Sequence, residues 1–480
     1  MPLDIRISNA APRLGRQLRL AALLAGAAVL GGCATFSPDG GFGLVEQTAK
    51  ERLGKDLHWA RSEADLDTIA QRVSELLVKP LTVDDAVQVA LLNNRGLQAG
   101  FQDLGITEAE VVQAGRLPNP GFSFGRNSRG DEREIERGMH FNLARLIALP
   151  YIGQMEARRC EQIKAMVAMS VLALAADTRK AYYNALGAEE SVRYMRQVQM
   201  AAEASSELAR RMAQVGNFNK LQRAREQVFY ADASLNLARA EQAQRATRER
   251  LTRLLGAWGA QTRFALPERL PDLPKDVTEL PDIERVALGQ RLDVRGAQLA
   301  AEQTARNLGL TKTTRFINVL ELGVLRNSSN EAPTQRGWEI GIELPLFDWG
   351  GARVARAEAI YMQTVHRAAE TAVNARSEVR EAYTAYRSAY DIARFQRDEV
   401  VPLNQRIAEE NLLRYNGMLI GVFELLADAR TQIASVNGSI QALRDFWIAQ
   451  ADLDMALIGK PSLAAAAGPA MAAEAAGPGH

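Results

Sequence analysis

Cysteine is nearly missing from this chain: two residues in 480, Cys33 and Cys160. That scarcity excludes a disulfide-dense scaffold and a cysteine-rich metal cluster. Only four histidines occur, scattered at 58, 140, 366 and 480, and none belongs to a metal-binding motif. Neither sign of charge dominates, with 58 Lys+Arg against 57 Asp+Glu. A generic nucleic-acid binder carries a basic excess or patch, so nucleic acid is not an expected partner. Long hydrophobic runs are absent except near the N-terminus, which excludes a polytopic helical membrane protein. Phosphate loops, zinc motifs and nucleophile signatures are missing too. The expectation is a protein that is not an enzyme and holds no cofactor or metal.

What is present begins with a processing signal at 1–32. Arg6, Arg13, Arg16 and Arg19 form a basic head, followed by the short apolar stretch at 20–32. The stretch is too short and too abruptly ended for a membrane-spanning helix and reads as a secretory signal. Leu30-Gly31-Gly32-Cys33-Ala34 resembles a lipobox. The resemblance makes Cys33 the lipidated first residue of the mature chain, held in the outer membrane by three acyl chains. Cys160 falls on a predicted helix, where packing in a core or helix seam is the default for a lone thiol.

The rest of the chain is doubled. Arg179-Lys180-Ala181-Tyr182 matches Arg380-Glu381-Ala382-Tyr383, and Val215-Gly216 matches Asn416-Gly417 at the same offset of 201. Ala90 and Ala287 are 197 apart, and Gly256 and Gly459 are 203 apart. A lead-in at 33–80, with a short helix at 64–78, precedes a first repeat at 81–256. A linker at 257–281 carries four prolines and separates it from a second repeat at 282–459. A tail of Ala, Gly and Pro at 460–480 reads as low-complexity. Each repeat predicts one helix (84–114 or 282–312), two strands, a very long helix (152–213 or 351–415), a break, and a last helix (221–254 or 422–456). The helical stretches are rich in Ala, Glu, Gln, Arg and Leu. Pro402 should kink its helix. Each long helix nearly matches the summed length of its two short partners, the arrangement of a stalk or a tube made from struts on the order of 90–100 Å.

The strands alternate. Trp338, Ile340, Ile342 and Leu344 share one face, with Glu339, Gly341 and Glu343 on the other. Leu320, Leu322 and Val324 alternate with Glu321 and Gly323. Met139, Phe141 and Leu143 alternate with His140 and Asn142, and Phe122 and Phe124 with Ser123 and Gly125. Period two gives one apolar and one polar face, as in a half-buried soluble sheet or a transmembrane β-barrel. Four strands close no useful barrel, and an open edge is not tolerated in lipid, so a barrel requires several copies of the chain.

Taken together, the chain resembles the TolC-type outer-membrane efflux proteins, in their lipoprotein branch. The likeness covers about residues 80–460. It rests on the doubled plan and on Asn93-Asn94-Arg95-Gly96-Leu97, Arg116-Leu117-Pro118-Asn119-Pro120, Arg291-Leu292-Asp293-Val294-Arg295 and Leu344-Pro345-Leu346-Phe347-Asp348-Trp349-Gly350-Gly351. Leu292 departs from the family's Arg-Pro-Asp pattern. The resemblance implies a mostly α fold with a small β part: a long antiparallel α-helical barrel plus four transmembrane β-strands per chain. In a homotrimer these form a 12-stranded β-barrel in the outer-membrane lipid and a tunnel in the periplasm. It implies as partners a periplasmic adaptor (membrane fusion) protein and an RND-type inner-membrane pump.

Function is then expected at the two helix breaks. The resemblance places Gly216, Asn217, Asn416 and Gly417 beside the adaptor, at a tip that opens by untwisting. Some family members carry two inward acids just after the second turn. Here the first position holds Glu424 and the second Ala427, with Asp428 one residue further, so Glu424 and Asp428 are the gate candidates. His140 is expected to line the barrel. The expected function is a passive export conduit for small molecules or metal ions. Alternatives are the outer-membrane channel of a type I protein-secretion system and a structural lipoprotein spanning the periplasm.

Overall fold

The computed structural model describes residues 35–277, 279–314, 320–343 and 346–461. The signal segment, Cys33, Leu344-Pro345, the side chain of Ala427 and the tail from 462 lie outside the described residues. The helices are α1 (Gly43–Leu53), α2 (Glu63–Leu77), α3 (Val83–Asn93), α4 (Arg95–Ala114), α5 (Leu143–Gln214), α6 (Lys220–Leu255), α7 (Ile283–Gln290), α8 (Leu292–Thr314), α9 (Gly351–Phe395), α10 (Val401–Asn416) and α11 (Val422–Ile458). The strands are β1 (Gly121–Arg129), β2 (Glu132–Asn142), β3 (Leu320–Ser329) and β4 (Gln335–Ile342). Contacts divide the chain into two units.

The first unit comprises Met1–Phe42, Asp103–Lys164 and Ala297–Arg367 and contains all four strands. They form one antiparallel sheet in the order β1-β2-β3-β4, which leaves β1 and β4 as edges. Gly130, at φ +64, turns β1 into β2 through a two-residue loop, a position that favours glycine. Asn330 ties the β3–β4 loop to that turn: its amide donates to Asp131 O at 2.8 Å, and its side-chain oxygen accepts from Arg133 N at 2.7 Å. The register separates the two faces. One carries Phe122, Phe124, Met139, Phe141, Val324 and Trp338, all exposed. The opposite face carries Ser123, His140, Glu136, Glu321 and Glu339. Leu143, expected to continue a strand, instead starts α5. That helix begins nine residues before the expected 152 and contains Pro150 in its early turns. Asn142 initiates it, its side-chain oxygen accepting from Arg145 N at 2.8 Å.

The second unit comprises Gly43–Gln102, Ala165–Gly296 and Ala368–His480. The single helices expected at 84–114 and 282–312 are each broken. Asn94 and Arg291, 197 apart, adopt extended backbone while their N–H groups still bond to Ala90 O and Ala287 O. The reason is the same in both repeats: each break residue reaches the carbonyl end of its repeat's last helix. Asn94 donates to Leu254 O at 3.0 Å, and Asn93 donates to Leu255 O at 3.1 Å and Gly256 O at 2.8 Å. Arg291 donates to Ala456 O, and its charge is met by Asp293 at 2.7 Å and Glu378 at 2.6 Å. Helix-end carbonyls need such donors.

One core joins Leu81, Tyr182, Leu186, Leu251 and Phe264, and another joins Val379, Tyr386, Tyr390 and Phe446. The linker at 257–281 is fastened to them. Tyr390 Oη donates to Lys275 O at 2.8 Å, and Trp447 Nε1 donates to Pro271 O at 3.0 Å. Burial repeats with an offset of 201 along the long helices: Thr178 with Val379, Ala181 with Ala382, Ala185 with Tyr386, and Val192 with Ala393. Beyond them the offset is 202, pairing buried Ala233 with Ser435 and Leu251 with Leu453. The extra residue is a π-turn, Gln396–Val400, set just before Pro402. A π-turn absorbs one inserted residue, and this one places Pro402 in the first turn of α10.

Candidate functional site

The two helix reversals belong to the second unit and are built alike. At the first, Asn217 N donates to Met212 O at 2.9 Å and Gly216 N to Ala213 O at 3.3 Å. At the second, Leu419 N donates to Arg414 O at 2.9 Å and Met418 N to Tyr415 O at 2.9 Å. These bonds correspond at an offset of 202. Gly216 takes the left-handed position at φ +83, and its counterpart is Met418 at φ +59. Gly417, which the offset of 201 aligns with Gly216, has an ordinary φ of −78. The expectation extended the 201 offset across the π-turn and missed by one residue. Asn219 caps α6, its side chain accepting from Gln222 N at 2.8 Å, whereas the equivalent Gly421 has no side chain to cap α11.

Asp428 and Glu226 are equivalent at the offset of 202, and both bond across their own hairpin. Asp428 accepts from Asn411 on α10. Glu226 accepts from Ser205 Oγ on α5 at 2.8 Å. Glu226 is only 1% exposed and also accepts from Arg430 Nη2 at 3.1 Å, which ties the first hairpin to the second. The Arg430 guanidinium lies over the Phe229 ring, 4.3 Å from its centroid. Glu226 was not singled out from the sequence; carrying Asp428 back by 202 residues would have found it. Glu424 is exposed at the start of α11. Beside the first reversal, a cavity of about 640 Å³ is lined by Glu203, Glu207, Arg210, Arg211, Arg223 and Tyr230, among others. Arg210 and Arg211 each bond to Glu207 at 2.7 Å and hold its carboxyl down to about 2.

In the first unit, the polar face of the sheet joins Ser123 Oγ to His140 Nε2 at 3.0 Å and His140 Nδ1 to Glu339 Oε1 at 3.3 Å. Glycine makes the room: a Cβ on Gly323 would lie 2.6 Å from Glu339 Cγ. Cys160 is a half-buried free thiol, and burial pushes its pKa up. Among the described residues, no three His, Cys, Asp or Glu side chains come together as a metal site, and no helix is long and apolar enough to cross a membrane.

No family model matches the chain. Over 289 residues it is 27% identical to the cobalt-zinc-cadmium resistance protein CzcC of Cupriavidus metallidurans. That match takes in 56% of this chain and 64% of the relative, less than two thirds of its length. The fold matches the Campylobacter jejuni CmeC outer membrane channel with a TM-score of 0.65 at 16% identity, over 86% of this chain and 91% of that one. It matches the open state of the Neisseria gonorrhoeae MtrE outer membrane channel with a TM-score of 0.64 at 18% identity, over 78% and 89%.

Proposed function

We propose that this chain, which has the fold of the TolC-type outer-membrane factors, is the outer-membrane channel of a tripartite efflux system. The observation that carries the reading is the sheet. Its exposed apolar face suits lipid, its opposite face is polar, and β1 and β4 are unpaired edges that lipid does not tolerate. Pairing β4 of one copy with β1 of the next satisfies those edges, and three copies supply twelve strands. The homotrimer would carry a lipid at Cys33 and meet a periplasmic adaptor protein at Gly216, Asn217, Asn416 and Gly417. An RND-type inner-membrane pump, coupled through the adaptor, would supply the energy for export. The likeness to a cobalt-zinc-cadmium resistance protein favours divalent cations as cargo over drugs or secreted proteins.

The gate belongs to the tip. Glu424 from three chains would form an acidic ring that attracts cations by summed like charge. The Glu226–Arg430 pair couples the two hairpins, so an opening that moves one against the other has to break it. The test is the purified full-length protein in planar bilayers, alongside its migration in detergent. A heat-resistant trimer with low conductance is expected, and E226Q should raise the open fraction several-fold. A protein that stays monomeric, or that conducts no ions even with E226Q and E424Q combined, rules the channel out.

A further inference from the structure

The charges of the sheet are sorted by sign. The face that bears Glu134, Glu136, Glu321 and Glu339 also bears His140 and Arg129. The apolar face bears arginines and no acid among its paired residues. These arginines are not scattered. The register sets Arg137 directly opposite Arg326, and Arg326 directly opposite Arg336, on three adjacent strands. The row just before it, toward the helix ends of the strands, is Phe122, Met139, Val324 and Trp338. Arg126 stands one further row toward the hairpin loops. Rows two residues apart are about 7 Å apart along a strand.

Like charges directly opposite on neighbouring strands repel. Nothing in the sheet relieves them: Arg137, Arg326 and Arg336 are exposed and have no carboxylate partner among the described residues. An arginine on the lipid-facing surface of a barrel is costly at the bilayer midplane and tolerated at the interface. A row of three that abuts an exposed tryptophan therefore marks the upper edge of the apolar band, on the side of the hairpin loops. Guanidinium groups arrayed there match phosphate monoesters and diesters, which they bind with two parallel N–H donors.

We propose that Arg137, Arg326 and Arg336, with Arg126 behind them, bind the phosphate groups of an anionic lipid in the outer leaflet, of the phosphorylated glucosamine type. In a trimer the row becomes a belt of nine. Each site takes a phosphorylated headgroup above the arginines while its acyl chains lie against the Trp338 row. The inference rests on the proposed barrel in the outer membrane.

The full-length protein in detergent is mixed with diphosphorylated lipid A, and bound lipid is counted by native mass spectrometry. Dephosphorylated lipid A is the control, and inorganic phosphate is the competitor. Wild type should retain the diphosphorylated lipid at least 10-fold better than the dephosphorylated one, and millimolar phosphate should not displace it. R137Q/R326Q/R336Q should lose that preference, and R137K/R326K/R336K should recover part of it. Unchanged trimer migration shows that the variants fold. Equal retention of both lipids means an apolar belt without phosphate recognition and overturns the proposal. So does full competition by inorganic phosphate, or retention unchanged in the glutamine variant. Fractionation of wild-type cells separates the two failures: a chain absent from the outer membrane removes the barrel reading and this proposal together, whereas a resident chain without phosphate preference removes the proposal alone.

Discussion

Met418 holds a backbone conformation that an L side chain other than Asn or Asp rarely adopts, and its side chain is 94% exposed, with no packing to compensate. The left-handed region costs a non-glycine residue roughly 1–2 kcal/mol, part of which glycine gives back through the freedom it loses on folding. Met418→Gly should stabilise the chain by about 0.5–1 kcal/mol, and Gly216→Ala should destabilise it by about 1 kcal/mol. Urea unfolding followed by circular dichroism reads both, and shifts of the same sign would contradict the assignment. Asp452 offers a second test at this scale. Burial raises its carboxyl pKa above the ordinary 3.8, and the Lys180 ammonium at 2.9 Å offsets only part of that. The folded state therefore takes up this proton before the unfolded state does. Between the raised value and 3.8 the group adds stability as pH falls and removes it as pH rises. Asp452→Asn abolishes that contribution, so its stability relative to wild type should decline as pH drops from 7 toward 4. A difference that is flat across that range means Asp452 does not titrate there.

The elements most legible in the sequence were those set by pattern over many residues. Alternation marked all four strands, and strong helix formers marked the long helices to within a residue or two at most ends. What the sequence hid was local. The Asn94 and Arg291 breaks escaped notice because both residues sit inside unbroken helical periodicity, and only the distant carbonyls at 254–256 and 456 draw them out of it. The early start of α5 was hidden because Pro150 reads as a breaker, yet the helix runs through it at its eighth residue. The π-turn was hidden because a one-residue insertion leaves no mark in composition, and it moved the left-handed position from Gly417 to Met418. Pro402 and the π-turn explain each other. Deleting Gln396 should restore an α-helix and force the Pro402 ring against the carbonyl four residues back, at a cost of about 3 kcal/mol. Combining the deletion with Pro402→Ala should recover most of that loss. Additive losses in the double variant, measured by thermal unfolding, would show that the two features are independent.

At the scale of the whole molecule, the two repeats share a plan and differ in chemistry. Neutral amides close the first repeat at Asn93 and Asn94, and an ion triad closes the second at Arg291, Asp293 and Glu378. The tip follows the same rule, with Asn219 capping one hairpin and Gly421 leaving the other uncapped. Three chains would therefore present six hairpins of two kinds, and an adaptor would meet two different surfaces in alternation. The strand connections are short. β1 and β2 are joined by Gly130 and Asp131 alone, and β3 and β4 by residues 330–334. On the channel reading these seven residues per chain, with the strand ends beyond the arginine row, are what the cell's surroundings can touch. A phage or antibody would have little to grip, and an epitope tag placed between Gly130 and Asp131 should be stained on intact cells. If staining required permeabilised cells, the strands would run in the opposite direction. On that reading, a conduit with so small an outer face could stay open to export while offering little to recognition from outside.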